Sequence, residues 1–409
     1  MDRFKVLIEE VVFGGSGMGR VDGKVCFIPG VITGELVSAR LVKDKTDYMT
    51  AYPLDIIEPS PDRTEPLCPL AIKPCPPQAR GRIPDYCPGC SYQHMTYAAE
   101  LKTKQRQFET FLERLPDTED LELLPPFGSP AEYGYRNKIT MHATVGDGSN
   151  RLGYLGRDNQ TVQDIPDCPL AMPQLREKLC EERANKGFYH SLKDRMKVTF
   201  RCDSKQTLMW RGNPPANASW LKEEMPFGLF SVPCGSFSQV NPAVAQELVN
   251  RVTQYIKQVD AENVVDLYCG AGLFACAAAG AGVKKIRGGD LDGPAIAAAE
   301  YNLKNSGHPD AAVFAGPAGN MIKELFEGLD PAETVLVVDP PRTGLDRKTR
   351  DITVNIGPKY IIYVSCSPDT LGRDLNILIN NGYNLKTAGL LDMFPKTSHF
   401  ESIIFLEKQ

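Results

Sequence analysis

The sequence predicts an α/β protein whose C-terminal part, residues 231–409, forms a doubly wound sheet. Three observations favour this fold class. The runs NVVDL, TVLVV and YIIYV alternate with helical segments there, as buried parallel strands do in α/β folds. The first run leads into a glycine-rich turn, YCGAGLF, and the next strand ends in an acidic motif, GGDLD. Turns and acids at these places are typical of nucleotide-binding sheets.

The preceding residues divide into two further regions. Residues 1–58 alternate short apolar runs with Gly and Asp-Gly turns, which predicts a small all-β unit. Residues 59–230 form a central region that begins with an irregular segment rich in proline and cysteine, up to residue 84. Residues 97–115 have apolar side chains at helical spacing, and this helix is expected to pack on the catalytic domain. An antiparallel sheet is predicted over residues 135–228.

Length and composition point to a multidomain protein without a membrane segment. A chain of 409 residues is too long for one hydrophobic core and should contain two or three domains. No apolar run is long enough to cross a bilayer. The first residues, MDRFKVLIEEVVFGG, carry charges where a signal peptide needs an apolar core. We therefore expect a cytoplasmic protein with no membrane contact.

The charge distribution limits the kind of nucleic-acid contact that can be expected. The formal net charge of −5 argues against a uniformly basic binding surface. Residues 176–211 nevertheless hold 10 Lys and Arg against 5 Asp and Glu, a net charge of +5. This stretch is either a local RNA contact or an ordinary solvated face.

The turn after the first strand of the α/β domain predicts a nucleoside site. Gly270 and Gly272 leave room for a ligand to approach the backbone at the start of a helix. Asp290 ends the second strand, where a carboxylate can accept hydrogen bonds from a ribose diol. The dinucleotide fingerprint G-x-G-x-x-G is absent, because Leu273, Phe274 and Ala275 follow the glycines. A single nucleoside therefore fits better than a dinucleotide.

Reactive side chains follow the later strands of the same sheet. TVLVV leads into the sequence DPPR, which begins with Asp339, and YIIYV leads into SCSP, which contains Cys366. A third segment, FPKTSHFE, ends at Glu401 and precedes the last strand. Because ligands in such sheets lie at the carboxyl ends of the strands, these residues are candidates for a shared site.

Six motifs together resemble those of the RNA (uracil-5-)-methyltransferase family. DLYCGAGLF, DPPR, SCSP with DTLGRD, and TSHFE occur in the family's order, as do YRNK at 135–138 and GSFSQVNP at 235–242. The N-terminal β unit resembles a TRAM domain, an oligonucleotide-binding (OB) type of β-barrel. The resemblance covers nearly the whole chain. It implies a Rossmann-like, S-adenosylmethionine (SAM)-dependent methyltransferase domain that acts on RNA.

The resemblance also implies a role for each catalytic candidate. C5 of uracil is a poor nucleophile, so a thiolate first adds at C6, and Cys366 matches that thiolate. Glu401 matches the general base that removes the C5 proton after methylation. Asp339 matches a residue that lines the catalytic pocket. Gln239 matches a residue that contacts both the substrate and the cofactor regions.

The same resemblance implies the cofactor residues. Tyr268, Gly270, Gly272 and Asp290 match positions that bind SAM. One departure concerns the adenine, since Pro317 in the sequence FAGPAGN stands where the family usually has a polar side chain.

Twelve cysteines in a chain of this kind are expected to be thiols, metal ligands or catalytic groups. Cys68, Cys75, Cys87 and Cys90 lie within 23 residues, and Cys168 follows in the sequence IPDCPL. Spacing alone favours zinc. The family resemblance instead implies a [4Fe-4S] cluster, with Cys68, Cys87, Cys90 and Cys168 as ligands, because Leu67-Cys68-Pro69 resembles the start of the family's cluster motif. Cys75 is the alternative first ligand.

The substrate and two competing functions remain open at this point. A cluster and a TRAM domain together suggest the branch of the family that modifies 23S rRNA, in preference to a tRNA T-loop uridine, and a monomer is expected. A methyltransferase acting on a ring nitrogen or an exocyclic amine would need no nucleophilic cysteine. A noncatalytic RNA-binding assembly factor would need neither Cys366 nor Glu401.

Overall fold

The computed structural model describes residues 3–75, 85–146, 150–215 and 219–409. Parts of three predicted regions lie outside the described residues: 1–2 of the N-terminal β unit, 76–84 of the irregular segment, and 147–149 and 216–218 of the central sheet. Two compact units contain the chain. Unit 1 comprises residues 1–107, 131–200 and 394–399, and unit 2 comprises residues 108–130, 201–393 and 400–409.

The strands of the described residues are β1 (Arg3–Leu7), β2 (Glu10–Val11), β3 (Ser16–Val21), β4 (Lys24–Pro29), β5 (Leu36–Asp44), β6 (Tyr48–Glu58), β7 (Glu122–Leu123), β8 (Lys138–Thr144), β9 (Arg151–Leu155), β10 (Val162–Asp164), β11 (Lys197–Cys202), β12 (Thr207–Arg211), β13 (Leu221–Met225), β14 (Gly228–Val232), β15 (Asn263–Leu267), β16 (Lys285–Asp290), β17 (Ala312–Ala315), β18 (Thr334–Val338), β19 (Tyr360–Ser365), β20 (Tyr383–Leu391) and β21 (Glu401–Lys408). The α-helices are α1 (Tyr97–Leu112), α2 (Pro173–Ala184), α3 (Lys186–His190), α4 (Pro242–Gln258), α5 (Leu273–Ala281), α6 (Gly293–Asn305), α7 (Ala318–Leu325), α8 (Arg347–Ile356) and α9 (Pro368–Ile379).

Unit 1 begins with the predicted all-β unit, which the structure confirms. Its strands form a six-stranded sheet in the order β1-β5-β6-β4-β3-β2. Alternate side chains point inward, as the period of a half-buried strand requires. Val6, Cys26, Ile28 and Val37 form the core of this sheet.

The central part of unit 1 contains strands in the order β10-β9-β8-β11, of which β8, β9 and β10 pair antiparallel. Two helices here, α2 and α3, were not predicted from the sequence. Only Leu175 and Leu179 of α2 are buried, so most of the helix is polar and its apolar periodicity is weak. The proline at its first position was the available start signal.

Helix α1 ends at Leu112, three residues before the predicted end. The amide of Leu115 donates to the carbonyl of Leu112 at 2.9 Å, so the chain closes in tighter turns before Pro116.

Unit 2 contains the predicted doubly wound sheet, in the order β17-β16-β15-β18-β19-β21-β20-β7. The strands from β17 to β19 are parallel, and β21 pairs antiparallel with both β19 and β20. Strand β7, which the sequence analysis did not predict, adds parallel to β20. Helix α4 packs on α5 and α5 on α6, while α7 packs on α8 and α8 on α9.

This strand order places the ends of β15 and β18 beside each other where the order reverses. The crevice outside such a switch point is where doubly wound sheets bind ligands. No helix among the described residues is long and apolar enough to cross a membrane.

Candidate active site

The predicted reactive residues of unit 2 lie at neighbouring strand ends. Asp339 follows the last residue of β18, and Cys366 follows the last residue of the adjacent parallel strand β19. Strand β21 runs antiparallel to β19, with Ser365 opposite Ser402. Glu401 therefore lies at the same edge as Cys366. The hydroxyl of Ser402 donates to the carbonyl of Ser365 at 3.0 Å and holds these two ends together.

Cys366 lies in an environment that is mostly unfavourable for a thiolate. Burial raises the pKa of Cys366 to about 11, and the charges of Glu401 and Asp339 act in the same direction. Arg342 opposes them through its charge and a hydrogen bond to the thiol. Arg342 belongs to the DPPR sequence, but the sequence analysis gave it no role. Its guanidinium group places a positive charge beside the candidate nucleophile.

Glu401 has a buried carboxylate with a raised affinity for a proton. Its side chain is 3% exposed, and among the residues that the structure describes its Oε1 atom has no hydrogen-bond partner. Burial and the charge of Asp339 raise the pKa of Glu401 well above the usual range, and Arg342 lowers it. A carboxylate in such a site binds protons more strongly than one in water.

Asp339 connects this group to a loop earlier in the chain. Its surface remains partly accessible, but surrounding protein desolvates the carboxylate and raises its pKa, and the charge of Asp290 raises it further. The side-chain amide of Gln239 donates to Oδ2 of Asp339 at 3.4 Å. Gln239 itself is 4% exposed. Three of the predicted residues, Cys366, Glu401 and Asp339, thus interact with one another. Gln239 joins this group through its hydrogen bond to Asp339.

The predicted nucleoside turn follows β15. Tyr268, Gly270 and Gly272 all have left-handed backbone conformations, with φ of 69°, 53° and 86°. For Tyr268 this conformation is strained, and the hydrogen bond from its amide to the carbonyl of Gly289 at 2.8 Å helps to hold it. Asp290 accepts from the amide of Gly270 at 2.9 Å and from that of Asp292 at 2.8 Å. The predicted cofactor residues are therefore brought together at one turn.

Asp266, inside β15, is a site residue that the sequence analysis missed. Its Oδ2 accepts from the amide of Ala275 in α5 at 2.8 Å, whereas its buried Oδ1 has no hydrogen-bond partner within the described part of the chain. Burial raises the pKa of Asp266 to about 8. The signal was a lone aspartate inside the apolar run NVVDL, which is unusual for a strand buried on both faces.

Pro317 is exposed and precedes α7 without a side-chain cap.

The five cysteines considered as metal ligands separate into two groups. Burial raises the pKa of Cys87 to about 11, and the charges of Cys168 and Cys68 act in the same direction. Burial likewise raises the pKa of Cys90, with Cys168 and Cys87 adding to it. Cys75 instead packs with Tyr52 and Ile72 in an apolar cluster. The four thiols named as ligands are thus electrostatic neighbours. In the parts of the chain that the structure describes, however, no three His, Cys, Asp or Glu side chains form a group that could hold a metal ion, so the metal centre stays a prediction.

Comparison with known proteins yields three family matches. The tRNA (Uracil-5-)-methyltransferase family profile matches residues 329–409, which include DPPR, SCSP and TSHFE. The TRAM domain profile matches residues 2–54. The Ribosomal protein L11 methyltransferase (PrmA) profile matches residues 247–329, the first part of the doubly wound sheet.

Whole-chain relatives extend these matches. A protein of Aquifex aeolicus named as an uncharacterized RNA methyltransferase is 30% identical, with 98% of each chain covered. The 23S rRNA (uracil(1939)-C(5))-methyltransferase RlmD of Acidithiobacillus ferrooxidans is 29% identical over 99% of this chain and 97% of that protein. The crystal structure of Pyrococcus abyssi tRNA (uracil-54, C5)-methyltransferase with S-adenosyl-L-homocysteine superposes with a TM-score of 0.71 over 98% of this chain and 100% of that one, at 21% identity, a likeness of fold.

Proposed function

We propose, from the premise that this chain belongs to the SAM-dependent RNA (uracil-5-)-methyltransferase family, that it methylates C5 of a uridine in 23S rRNA through a covalent bond between Cys366 and C6. One observation carries the mechanism. The Cys366 thiol and the buried Glu401 carboxylate lie at the ends of two paired strands, and Arg342 lowers the pKa of both. Among the described residues, Oε1 of Glu401 has no hydrogen-bond partner. Direct methylation of a ring nitrogen or amine would use neither group.

Cys366 begins the reaction and is released at its end. Its thiolate adds to C6, and the electron pair of the C5–C6 double bond moves toward the O4 carbonyl to give an enolate. SAM supplies the methyl group that C5 then takes. Loss of the C5 proton restores the C5–C6 double bond and expels the thiolate. Arg342 supports the first and last steps, because it lowers the pKa of the thiol.

Glu401 takes the proton from C5. Its burial suits this task, because a desolvated carboxylate is a stronger base than one in water. Asp339 and Gln239 are proposed to orient the uracil, since both are polar groups at the same edge. Tyr268, Gly270, Gly272 and Asp290 are proposed to hold SAM, with the Asp290 carboxylate accepting hydrogen bonds from the ribose hydroxyls.

The test of this mechanism blocks its last step, the removal of the C5 proton. Glu401→Gln preserves the size of the side chain but cannot take the proton, so the reaction should stop after the methyl group has been added. We expect purified Glu401→Gln protein, SAM and 23S rRNA to accumulate a protein–RNA adduct that survives denaturing electrophoresis. Wild-type protein should release 5-methyluridine, measured by mass spectrometry.

The control replaces the nucleophile as well. The double variant Cys366→Ala, Glu401→Gln should form no adduct, because the bond is to the Cys366 sulfur. Normal 5-methyluridine formation by Glu401→Gln would show that another acid, with Asp339 the next candidate, removes the proton. A wild-type protein that binds RNA without methylating it would instead be an assembly factor.

The choice of rRNA rests on the relatives. A whole-chain relative at 29% identity is a 23S rRNA enzyme, while the tRNA enzyme shares the fold at 21% identity. Mapping of the modified position on total RNA separates the two substrates. A T-loop uridine of tRNA would replace the rRNA proposal. The expected monomer and the cytoplasmic location remain predictions.

A [4Fe-4S] cluster held by Cys68, Cys87, Cys90 and Cys168 is the proposed metal centre. The donor chemistry fits, because four thiols are what such a cluster requires, and these thiols lie close enough to affect one another. Zinc is the alternative for the same four thiols.

A further inference from the structure

The loop that carries Gln239 is held by a buried arginine. This loop, residues 233–241, connects β14 to α4 and belongs to neither element. Apolar packing holds the start of the loop, where Cys234 lies in a cluster with Trp210 and Leu221, but not its middle, where Phe237 is 67% exposed. Gln239, two residues later, is 4% exposed and points its amide at Asp339. Polar contacts must therefore fix the turn between them.

Arg201 at the end of β11 makes those contacts. Its side chain is fully buried, and its Nη1 atom donates to the carbonyls of Pro233, Cys234 and Ser236 at 3.1, 2.8 and 2.6 Å. Its Nη2 atom donates to the hydroxyl of Ser238 at 2.6 Å. One guanidinium group thus binds four points of a six-residue stretch that ends next to Gln239.

Glu223 in β13 completes the arrangement. The hydroxyl of Ser238 donates to Oε1 of Glu223 at 2.8 Å, and this carboxylate lies 4.0 Å from Nη2 of Arg201. Ser238 therefore bridges two buried charges of opposite sign. Burying a guanidinium group is unfavourable unless its N–H groups form hydrogen bonds. Because the group is planar and rigid, those hydrogen bonds hold several acceptors in fixed positions at once.

The other side of Gln239 is anchored separately. The side-chain amide of Asn241 donates to the hydroxyl of Ser129 at 3.0 Å, and α4 begins at the next residue. Gln239 lies between this anchor and the Arg201 contacts, so its backbone has little freedom.

We infer that Arg201, Ser238 and Glu223 form a positioning clamp that sets the place of Gln239 against the uracil and Asp339. The inference rests on the proposed function, since it assigns the clamp to the same site. None of the three clamp residues is a catalytic residue. They act through Gln239. A positioning role therefore predicts effects that depend on Gln239, whereas a general role in folding does not.

The experiment is a double-mutant cycle between Ser238→Ala and Gln239→Ala, with kcat and KM for RNA measured separately. Ser238→Ala should lower kcat about 10-fold to 100-fold, the usual effect of displacing a substrate-positioning group. It should leave the affinity for S-adenosylhomocysteine close to wild type, while the melting temperature should fall because Glu223 loses the hydrogen bond from this hydroxyl. In the Gln239→Ala background the Ser238 change should add almost nothing, because residues that act as one unit are not additive.

Arg201→Lys provides a second variant with its charge kept. A lysine has three donors on one atom and cannot bind four points, so a loss of kcat larger than that of Ser238→Ala is expected. Arg347→Lys, at a surface position in α8 whose side chain is 89% exposed, is the matched control and should behave as wild type. If Arg201→Lys does not fold, the Ser238 cycle still decides.

Wild-type kcat in Ser238→Ala, or losses that multiply in the double variant, would overturn the clamp. Hydrogen exchange gives a readout without turnover, since amides of residues 234–240 should exchange faster in Ser238→Ala than in wild type while those of β15 do not change. If wild-type protein makes no 5-methyluridine, the proposed function fails. The exchange measurement then still decides whether the clamp holds the loop, and unchanged exchange there rejects it.

Discussion

At the scale of single residues, the state of Cys366 is set by opposing neighbours. Burial raises the pKa of the thiol, the charges of Glu401 and Asp339 raise it further, and the charge and hydrogen bond of Arg342 lower it. With a pKa of about 11, the thiol is mostly protonated at neutral pH, and in this range the thiolate fraction increases about tenfold for each unit by which the pH rises toward the pKa. Removal of Arg342 should therefore make the thiolate rarer still.

We predict that Arg342→Met slows alkylation of Cys366 by iodoacetamide about tenfold between pH 8 and pH 9, the effect of one unit in pKa. The rate in both proteins should increase with pH, since only the thiolate reacts. Peptide mass spectrometry measures Cys366 separately from the exposed Cys180 in α2, which serves as an internal reference. Equal rates in the two proteins would mean that Arg342 does not control the nucleophile.

Residues inside strong motifs could be predicted from the sequence, and isolated ones could not. Cys366 and Asp339 follow strands and Glu401 begins one, all in recognisable motifs. Gln239 was also named from a motif, but its hydrogen bond to Asp339, 100 residues away in sequence, was not predicted. Arg201 and Asp266 lie inside strands, where a single polar residue gives no periodic signal. Their importance comes from burial and partners, which only a folded chain reveals.

At the scale of elements, the start of α5 depends on one glycine. Gly272 has φ of 86°, and a Cβ atom there would lie 3.1 Å from Cβ and 3.3 Å from Cα of Ala299 in α6. An L-residue at such φ costs about 1 to 2 kcal/mol before any crowding. We predict that Gly272→Ala lowers the free energy of unfolding by at least this amount, about 1 to 2 kcal/mol, and weakens SAM binding.

The matched variant is Gly280→Ala in the same helix. Its Cβ would meet Cβ of Phe227 at 3.4 Å, an ordinary contact, in regular helical backbone. A glycine inside a helix costs about 1 kcal/mol relative to alanine, so this variant should be as stable as wild type or more stable. Denaturant unfolding and calorimetric titration with SAM measure both variants. Equal stability of the two would reject the backbone argument.

The elements that the sequence predicted are those with strong periodicity. The β-branched runs of unit 2 and the alternating strands β1 to β6 appear where expected. Helix α2 was missed because charged residues interrupt its apolar periodicity, and α3 was missed because it has only five residues. Strand β7 has two residues, and its existence depends on a neighbour, β20, that lies more than 260 residues later in the chain. No local pattern could predict that pairing.

At the scale of the whole molecule, the chain forms two compact units with different contents. An RNA-binding type of β domain and the cysteine segment lie in unit 1, and the catalytic sheet lies in unit 2. The division into domains at residues 58 and 230 stays a prediction. Spacing left both Cys68 and Cys75 open as the first metal ligand, because residues seven apart in an irregular segment can point anywhere.

The packing of these two cysteines gives the last prediction, made with a matched pair of variants. Cys68 interacts with Cys87 and Cys168, whereas Cys75 packs with Tyr52 and Ile72. Anaerobically purified protein should be brown, with about four irons per chain if four thiolates hold one [4Fe-4S] cluster. Cys68→Ser should lose colour and iron, and Cys75→Ser should keep both.

Stability follows the same division, because a cluster that binds only the folded chain stabilises it. Iron chelation should therefore lower the melting temperature of wild type and of Cys75→Ser, and leave that of Cys68→Ser unchanged. Metal analysis of each protein decides among the outcomes. Colourless wild type with one zinc per chain would refute the iron–sulfur cluster but keep the ligands. Loss of metal from Cys75→Ser with retention in Cys68→Ser would refute the ligand set itself, since the first ligand would then be the cysteine that packs against Tyr52.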